Sequence, residues 1–166
     1  MRLASRQRHR AYTLIEVMIV TSIIGIVMMG MRSAFLRITA RSQATVFRND
    51  CRVFTEAFSR YAHEKGSYPA DQTVAGTVPL GTDDYLGKTS WLRTTPLGGN
   101  YDWDNKDAHN SLGVTFNAAI KVVGCTWTLE NLQMLDEWLD DGNLTTGNIR
   151  VTDAGSTVFF VIESAP

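Results

Sequence analysis

The sequence predicts an α+β fold in which one long N-terminal helix packs under a small antiparallel β-sheet. Residues 13–65 contain no proline, and apolar side chains in the second half of this stretch recur at helical spacing. Beyond residue 99, short runs alternate apolar and polar side chains between turn residues, which is typical of strands. The 166 residues leave room for one modest globular domain attached to the helix.

The first half of the predicted helix is apolar apart from one carboxylate. Glu16 is the only charged side chain from Tyr12 to Met31, and about 20 apolar residues are needed to cross a membrane. A charge in mid-membrane costs about 2.5–3.5 kcal/mol, so Glu16 needs a cationic partner, and this run contains none. An intermolecular partner is the simplest interpretation. The alternative is a signal anchor in which Glu16 lies near the interface and reaches water.

The second half of the helix is predicted to be amphipathic. Its apolar stripe would pack on the globular domain, and its charged face would point away from that domain. At 1.5 Å per residue, a helix over residues 13–65 would be about 80 Å long. The stripe consists of Phe47, Cys51, Phe54, Phe58 and Tyr61, and the opposite face carries Arg41, Arg48, Arg52, Glu56 and Arg60.

Gly66 and Pro69 end the helix, because glycine favours the position after the last turn and proline cannot continue it. A long irregular connection over residues 70–99 follows, with a helical turn near residues 84–86. The remaining predicted elements are a strand pair over 99–103 and 114–123, a helix over 129–139, and a strand pair over 148–152 and 157–162.

Charge is distributed unevenly along the chain. Residues 1–11 and 32–65 each carry a formal charge of +4, whereas residues 66–166 carry −8. The acidic part, residues 66–166, is called the head, and the helix before it the stalk. An acidic head argues against nucleic-acid binding, because phosphate recognition needs concentrated Lys and Arg. A basic stalk below an acidic head suits a polymer in which stalks pack together and heads face water.

The N-terminal segment resembles the signal of type IV prepilins and type II secretion pseudopilins. An arginine-rich leader ends at Ala11, and the sequence continues Tyr12-Thr13-Leu14-Ile15-Glu16-Val17. The family usually has Gly and Phe where this chain has Ala11 and Tyr12. The resemblance implies a pilin-like fold with a leader over residues 1–11, a transmembrane or filament-core segment over 12–31, an amphipathic helix over 32–65 and a head over 66–166.

The same resemblance implies how the chain is processed and assembled. Prepilin peptidase would cleave between Ala11 and Tyr12 and methylate the new amino group of Tyr12. An assembly platform and its ATPase would then draw the subunit from the inner membrane, with its N-terminus cytoplasmic and its head periplasmic, into a filament. Glu16 of the incoming subunit would pair with the amine of Tyr12 on its neighbour.

The function expected from this resemblance is a structural subunit of a type II secretion pseudopilus. Two alternatives remain open at this stage. One is a type IV pilin that serves adhesion, motility or DNA uptake. The other is an unprocessed, membrane-anchored binding domain that never polymerises.

The two cysteines, Cys51 and Cys125, allow two interpretations. If the head is exported, a disulfide would close a loop of about 70 residues and stabilise the head by about 2–4 kcal/mol. The alternative is a pair of separate thiols that behave as small apolar groups.

Two acidic clusters contain the oxygen ligands of a metal site but are predicted to be ordinary turns. The first contains Asp102, Asp104, Asn105 and Asp107, and the second contains Asp140, Asp141 and Asn143. Neither has the full calcium-loop signature with its closing Glu. The sequence itself predicts no cofactor, and the resemblance to major pseudopilins implies calcium in a loop of the head.

No catalytic constellation is evident in the sequence. His9, His63 and His109 are scattered, and the chain contains no zinc-protease, nucleophile-elbow or phosphate-loop motif. The sequence therefore predicts a protein that is not an enzyme.

Overall fold

The computed structural model describes residues 12–71, 74–105, 116–152 and 155–164. Each helix and strand predicted above is present in these ranges, with ends that differ by one or two residues. The predicted Val114 and Thr115 lie outside the described residues. The elements are α1 (Leu14–Lys65), α2 (Asp83–Leu86), β1 (Asn100–Asn105), β2 (Phe116–Val123), α3 (Leu129–Leu139), β3 (Ile149–Thr152) and β4 (Thr157–Ser164).

The chain divides into two compact units, residues 1–39 and residues 40–166. The first unit contains a helical segment, Leu14–Met31, whose mean hydropathy of 2.3 and length are sufficient to cross a membrane. Its hydroxyl groups bond back to the helix: Thr21 Oγ1 donates to the carbonyl oxygen of Val17 at 3.0 Å, and Ser22 Oγ to that of Met18 at 2.8 Å. This satisfies both groups without water, as a hydrocarbon environment requires.

The second unit contains a four-stranded antiparallel sheet in the order β1-β2-β4-β3. The two predicted strand pairs are both present, and β2 joins them by pairing with β4. This central pairing is long-range and depends on α3, which connects β2 to the edge strand β3. Sequence alternation predicts which residues form strands, but it does not specify which strands are neighbours.

The core of the second unit lies between α1 and one face of the sheet. The predicted stripe on α1 is confirmed: Phe47, Cys51, Phe54 and Phe58 are all buried. Phe54 packs edge-on against Trp91 with ring centroids 5.0 Å apart, and Phe58 stacks on Trp103 at 3.9 Å. Burying each phenylalanine stabilises the fold by about 1.5–3 kcal/mol. Further core residues are Leu86, Leu97, Tyr101, Ile120, Val122, Leu132, Leu135 and Val158.

Both outer strands of the sheet are covered by neighbouring chain. On β1, the Gly76 N–H donates to the Tyr101 carbonyl oxygen at 2.7 Å. On β3, the Val151 N–H donates to the Leu144 carbonyl oxygen at 2.8 Å. Exposed strand edges are templates for pairing with other chains, so this covering disfavours association through the sheet.

Candidate functional site

Glu16 lies in the first turn of α1, where the helix itself favours a negative charge. The Glu16 backbone N–H donates to Thr13 Oγ1 at 3.3 Å, as it does when a threonine caps a helix. Thr13 and Glu16 have the spacing of a capping box, in which a glutamate follows the cap by three residues. The sequence therefore places the carboxylate at the position where the helix end best accommodates it.

No described residue forms an ion pair with Glu16. Its neighbours line a shallow cavity of about 360 Å³ and are Tyr12, Val17, Val20 and Thr21. The carboxylate is thus exposed on an apolar surface beside the exposed Tyr12. A charge on such a surface favours contact with a cation supplied by another molecule.

The apolar side chains around Glu16 are themselves exposed. Leu14 is 79% exposed and Met29 is 86% exposed, and none of the Leu14–Met31 segment is buried. An apolar surface of this extent marks a membrane segment or a protein contact. Ala11 lies outside the described residues, and Tyr12 is the first residue described, so cleavage before Tyr12 and its methylation stay predictions.

The two cysteines are free thiols in the structure, which is the second of the two interpretations that the sequence left open. Cys51 is buried in the core on α1. Cys125 is half-buried, and its Sγ donates to the Leu97 carbonyl oxygen at 3.4 Å. Burial raises the pKa of both thiols, so both stay protonated at neutral pH.

The prediction that the first acidic cluster forms a turn is wrong. Asp102 and Asp104 are buried on β1, where Lys121 Nζ on β2 lies 2.9 Å from Asp102 Oδ2 and 3.3 Å from Asp104 Oδ2. The reason is strand register, because Asp102 is directly opposite Lys121. Burial raises the pKa of Asp102 although Lys121 opposes this shift. Asn105 ends β1 and donates to the Pro69 carbonyl oxygen, and Asp107 lies outside the described residues.

The second acidic cluster gains a member that the sequence analysis missed. Carboxylate oxygens of Asp136, Asp140 and Asp141 lie within 4.8 Å of one another at the C-terminal end of α3. Asp136 is fully buried, and its carboxylate oxygens make no hydrogen bond of good geometry, although Asp141 and the Asn143 backbone N–H lie close to them. Burial raises its pKa to about 6, and the charges of Asp140 and Asp141 add to this effect. The sequence does carry a signal for this proximity, because Asp136 and Asp140 lie one helical turn apart.

The loop after α3 folds around these carboxylates. Asp140 Oδ2 accepts hydrogen bonds from the backbone N–H groups of Asn148 and Ile149, the second at 2.9 Å. Asp141 accepts from the Asn143 N–H at 2.9 Å and from Thr146 Oγ1 at 2.7 Å. Hard cations such as Ca²⁺ take six to eight oxygen ligands, and Asp136 offers two that make no hydrogen bond of good geometry. The three carboxylates therefore supply part of the oxygen set that such a cation takes.

Three comparisons with known proteins bear on this arrangement. Residues 6–31 match the family described as the prokaryotic N-terminal methylation motif. The fimbrial protein EcpC of Eikenella corrodens is 39% identical over an alignment of 134 residues that covers 62% of this chain and 88% of that protein. The major type IV pilin PilA1 from Clostridium difficile shares the fold, with a TM-score of 0.53 and 12% identity over 77% of this chain and 98% of that chain.

The methylation motif covers the segment that carries Glu16, and the fimbrial protein extends the similarity beyond that segment. The match to the solved pilin covers nearly all of that chain and supports the same fold. The motif, the relative and the fold agree, and the chain belongs to the type IV pilin family.

Proposed function

We propose that this pilin-family chain is a structural subunit of a type II secretion pseudopilus. Members of the family are structural proteins that are processed by prepilin peptidase and polymerise into filaments. The observation that carries the proposal is the exposed apolar segment Leu14–Met31 with one carboxylate, Glu16, in its first turn. Such a surface needs a membrane before assembly and neighbouring copies after it.

In the proposed assembly, Glu16 pairs with the amino group of Tyr12 on an adjacent subunit. Cleavage after Ala11 creates that amine, and methylation leaves its positive charge in place. Each charge compensates the other in an apolar filament core, where an isolated carboxylate is costly. The N-terminus is cytoplasmic before assembly, and the head is periplasmic.

Two observations favour a pseudopilus over a pilus. The head is compact and carries a formal charge of −8 over residues 66–166. Both cysteines are free, whereas adhesive and motility pilins commonly have a disulfide near the C-terminus. The second candidate function is a type IV pilus subunit, and the identity to the fimbrial protein of E. corrodens favours it.

The first test is intact mass with N-terminal sequencing of the protein from its native membrane. We expect a chain that begins at Tyr12 and carries one added methyl group. A chain that still begins at Met1 would contradict processing and would favour the anchored binding domain.

The second test is the variant Glu16→Ala, with Glu130→Ala at an exposed position of α3 as the matched control. We expect Glu16→Ala to insert in the membrane and to form few or no filaments in electron micrographs, because the ion pair with the Tyr12 amino group is lost. The control is expected to polymerise normally. Normal filaments from Glu16→Ala would contradict the pairing.

Deleting the gene separates the two candidate functions. A pseudopilus subunit is needed for export, so we expect the deletion strain to lose proteins from its secreted fraction while surface pili are unchanged. Loss of surface pili with normal secretion would favour the pilus subunit instead.

We also propose that the cluster of Asp136, Asp140 and Asp141 binds calcium. The support is the buried Asp136 carboxylate, which makes no hydrogen bond of good geometry and lies beside two other carboxylates. We expect millimolar CaCl₂ to raise the midpoint of thermal unfolding of the full chain in detergent, and Asp136→Asn to remove this shift. Equal shifts of the midpoint in the wild type and in Asp136→Asn would contradict the site. The control is Asp84→Asn, which should keep the wild-type shift.

A further inference from the structure

One flank of α1 borders a groove in the head. This groove has a volume of about 380 Å³. Apolar side chains from α3, β3 and β4 line one side, namely Leu139, Ile149 and Phe160, and α1 contributes Arg48 and Arg52 to the other side. Glu56 and Asp140 also line the groove, but Glu56 pairs with Arg52 and Asp140 accepts the Asn148 and Ile149 N–H groups. The groove therefore combines an apolar surface with one cation, Arg48, that has no acidic partner among the described residues.

Two polar groups in this groove are unused. Arg52 pairs with Glu56 at 3.1 Å, but Arg48 has no acidic partner among the described residues. Thr55 Oγ1 is buried in the groove wall and has no hydrogen-bond partner. A guanidinium group and a hydroxyl group are both donors to a carboxylate. The occupant that this groove fits is thus an apolar side chain next to an acidic one.

The head carries such a combination on α2 and the residues before it. Leu80 is 82% exposed, and Asp83 and Asp84 are exposed without a basic partner within the described ranges. We call residues 80–84 the acidic knob, and contacts on both sides fix its position. Thr82 Oγ1 donates to the Pro79 carbonyl oxygen at 2.7 Å, Leu86 is buried, and the Tyr85 hydroxyl bonds to Glu64 on α1.

The groove and the acidic knob lie on opposite flanks of α1. Successive helix residues are about 100° apart, so Arg48, Arg52 and Thr55 project from one flank. Asp50, Arg60 and Glu64 project from the other flank, and they contact Ser90 and Tyr85 in the segment that carries the knob. One chain cannot insert its own knob into its own groove. Two different surfaces on opposite sides of a subunit make a heterologous contact, which repeats along an open helix when its rotation does not close a ring.

We propose that the groove receives the acidic knob of a second copy of this chain. Leu80 of one subunit packs on the apolar side of the groove, and Asp83 or Asp84 pairs with Arg48. This inference rests on the proposed filament, since only a polymer repeats the contact. It adds a contact between heads to the contact between the apolar halves of α1.

Charge reversal tests the pairing in full-length protein expressed with its assembly machinery. We expect Arg48→Glu to reduce filament yield at least tenfold, and the double variant Asp83→Lys with Asp84→Lys to do the same. Combining all three changes in one chain restores the attraction and should recover filaments. Arg93→Glu and Glu130→Lys are matched controls for reversal at other exposed positions. Circular dichroism verifies that each variant is folded.

Cross-linking identifies the occupant directly. In the experiment, benzoylphenylalanine replaces Leu80 in an otherwise wild-type chain. In filaments of this protein, we expect it to cross-link to the peptide of a second subunit that contains Arg48 and Arg52. Cross-links to lipid, to another protein or to a different region of the second copy would overturn the inference. Filaments of Arg48→Glu at wild-type yield would overturn it too, while the proposed function stands. Absence of filaments from the wild-type protein would instead contradict the proposed function.

Discussion

Asp136 is a buried acid whose pKa of about 6 exceeds its ordinary value, because burial and the adjacent Asp140 and Asp141 disfavour its charge. The native state therefore holds a proton over a pH range in which the unfolded chain has already lost it. Stability falls with rising pH wherever the native state binds more protons. The contribution of Asp136 is present below about pH 4 and is lost as the pH rises through about 6.

Replacing Asp136 with Asn should remove this dependence. In EDTA, we expect the free energy of unfolding of the variant at pH 7.5 to exceed that of the wild type by about 1–3 kcal/mol, since one pKa unit corresponds to about 1.4 kcal/mol. At pH 4.5 the difference should shrink. Urea unfolding followed by tryptophan fluorescence measures both values, with Asp83→Asn as the exposed control. An unchanged stability at pH 7.5 would contradict the buried charge.

Lys121 is the second buried charge, and its position between Asp102 and Asp104 predicts a larger effect. Burial alone would lower its pKa, but hydrogen bonds and charges from both aspartates outweigh burial and raise it. We expect Lys121→Met to destabilise the head by about 3–5 kcal/mol, because two buried carboxylates lose their cation. The exposed Lys88→Met should cost less than about 0.5 kcal/mol. Equal urea midpoints for the two variants would show that Lys121 is not a buried partner.

At the scale of elements, the turn that leads into β1 depends on a glycine. Gly99 has a φ of 69°, and a Cβ atom there would collide with the Val123 carbonyl oxygen at the end of β2. A methyl group would therefore strain the backbone and separate the two strands at this end. Gly66, after α1, has a similar φ of 82°, but no heavy atom lies within 4 Å of the corresponding position.

This difference makes Gly66→Ala the matched control for Gly99→Ala. The left-handed backbone alone costs about 1–2 kcal/mol for a residue with a Cβ, which is the effect expected at Gly66. Gly99→Ala should cost at least twice as much, because the collision with Val123 adds to it. Thermal unfolding of the two variants measures the difference. A Gly99→Ala protein as stable as Gly66→Ala would show that the strands adjust without cost.

The elements also explain which sequence patterns were informative. The spacing of Phe47, Phe54 and Phe58 predicted the buried face of α1 because a helix places residues three and four apart on one side. Asp102 and Asp104 were assigned to a turn because aspartate favours turns. Their burial depends on Lys121, which is 17 residues or more away in sequence, so no local pattern could reveal it.

At the scale of the whole molecule, every core residue in the described ranges lies within residues 40–166, which form one compact unit. The apolar half of α1 contributes none of them. We therefore expect a chain that lacks residues 1–39 to fold as a monomer without detergent. Its thermal midpoint should lie within a few degrees of the full chain, as calorimetry and sedimentation can measure. Aggregation or loss of the near-ultraviolet signal would mean that the head needs the missing segment.

The sequence by itself determined the N-terminal motif, an apolar segment long enough to cross a membrane, the long helix, and the number of strands and their order along the chain. These features depend on local composition and on helical or strand periodicity, which are properties of neighbouring residues. Glu16 belongs to this group, since its isolation among apolar residues is visible in the sequence.

Only the tertiary structure decided the pairing of β2 with β4, the burial of Lys121 between two aspartates, and the position of Asp136 beside Asp140 and Asp141. It also placed the groove and the acidic knob on opposite flanks of α1. These features arise when segments far apart in sequence meet. The strength of a charge or hydrogen bond depends on what surrounds it after folding, and that environment is not encoded in any single stretch of residues.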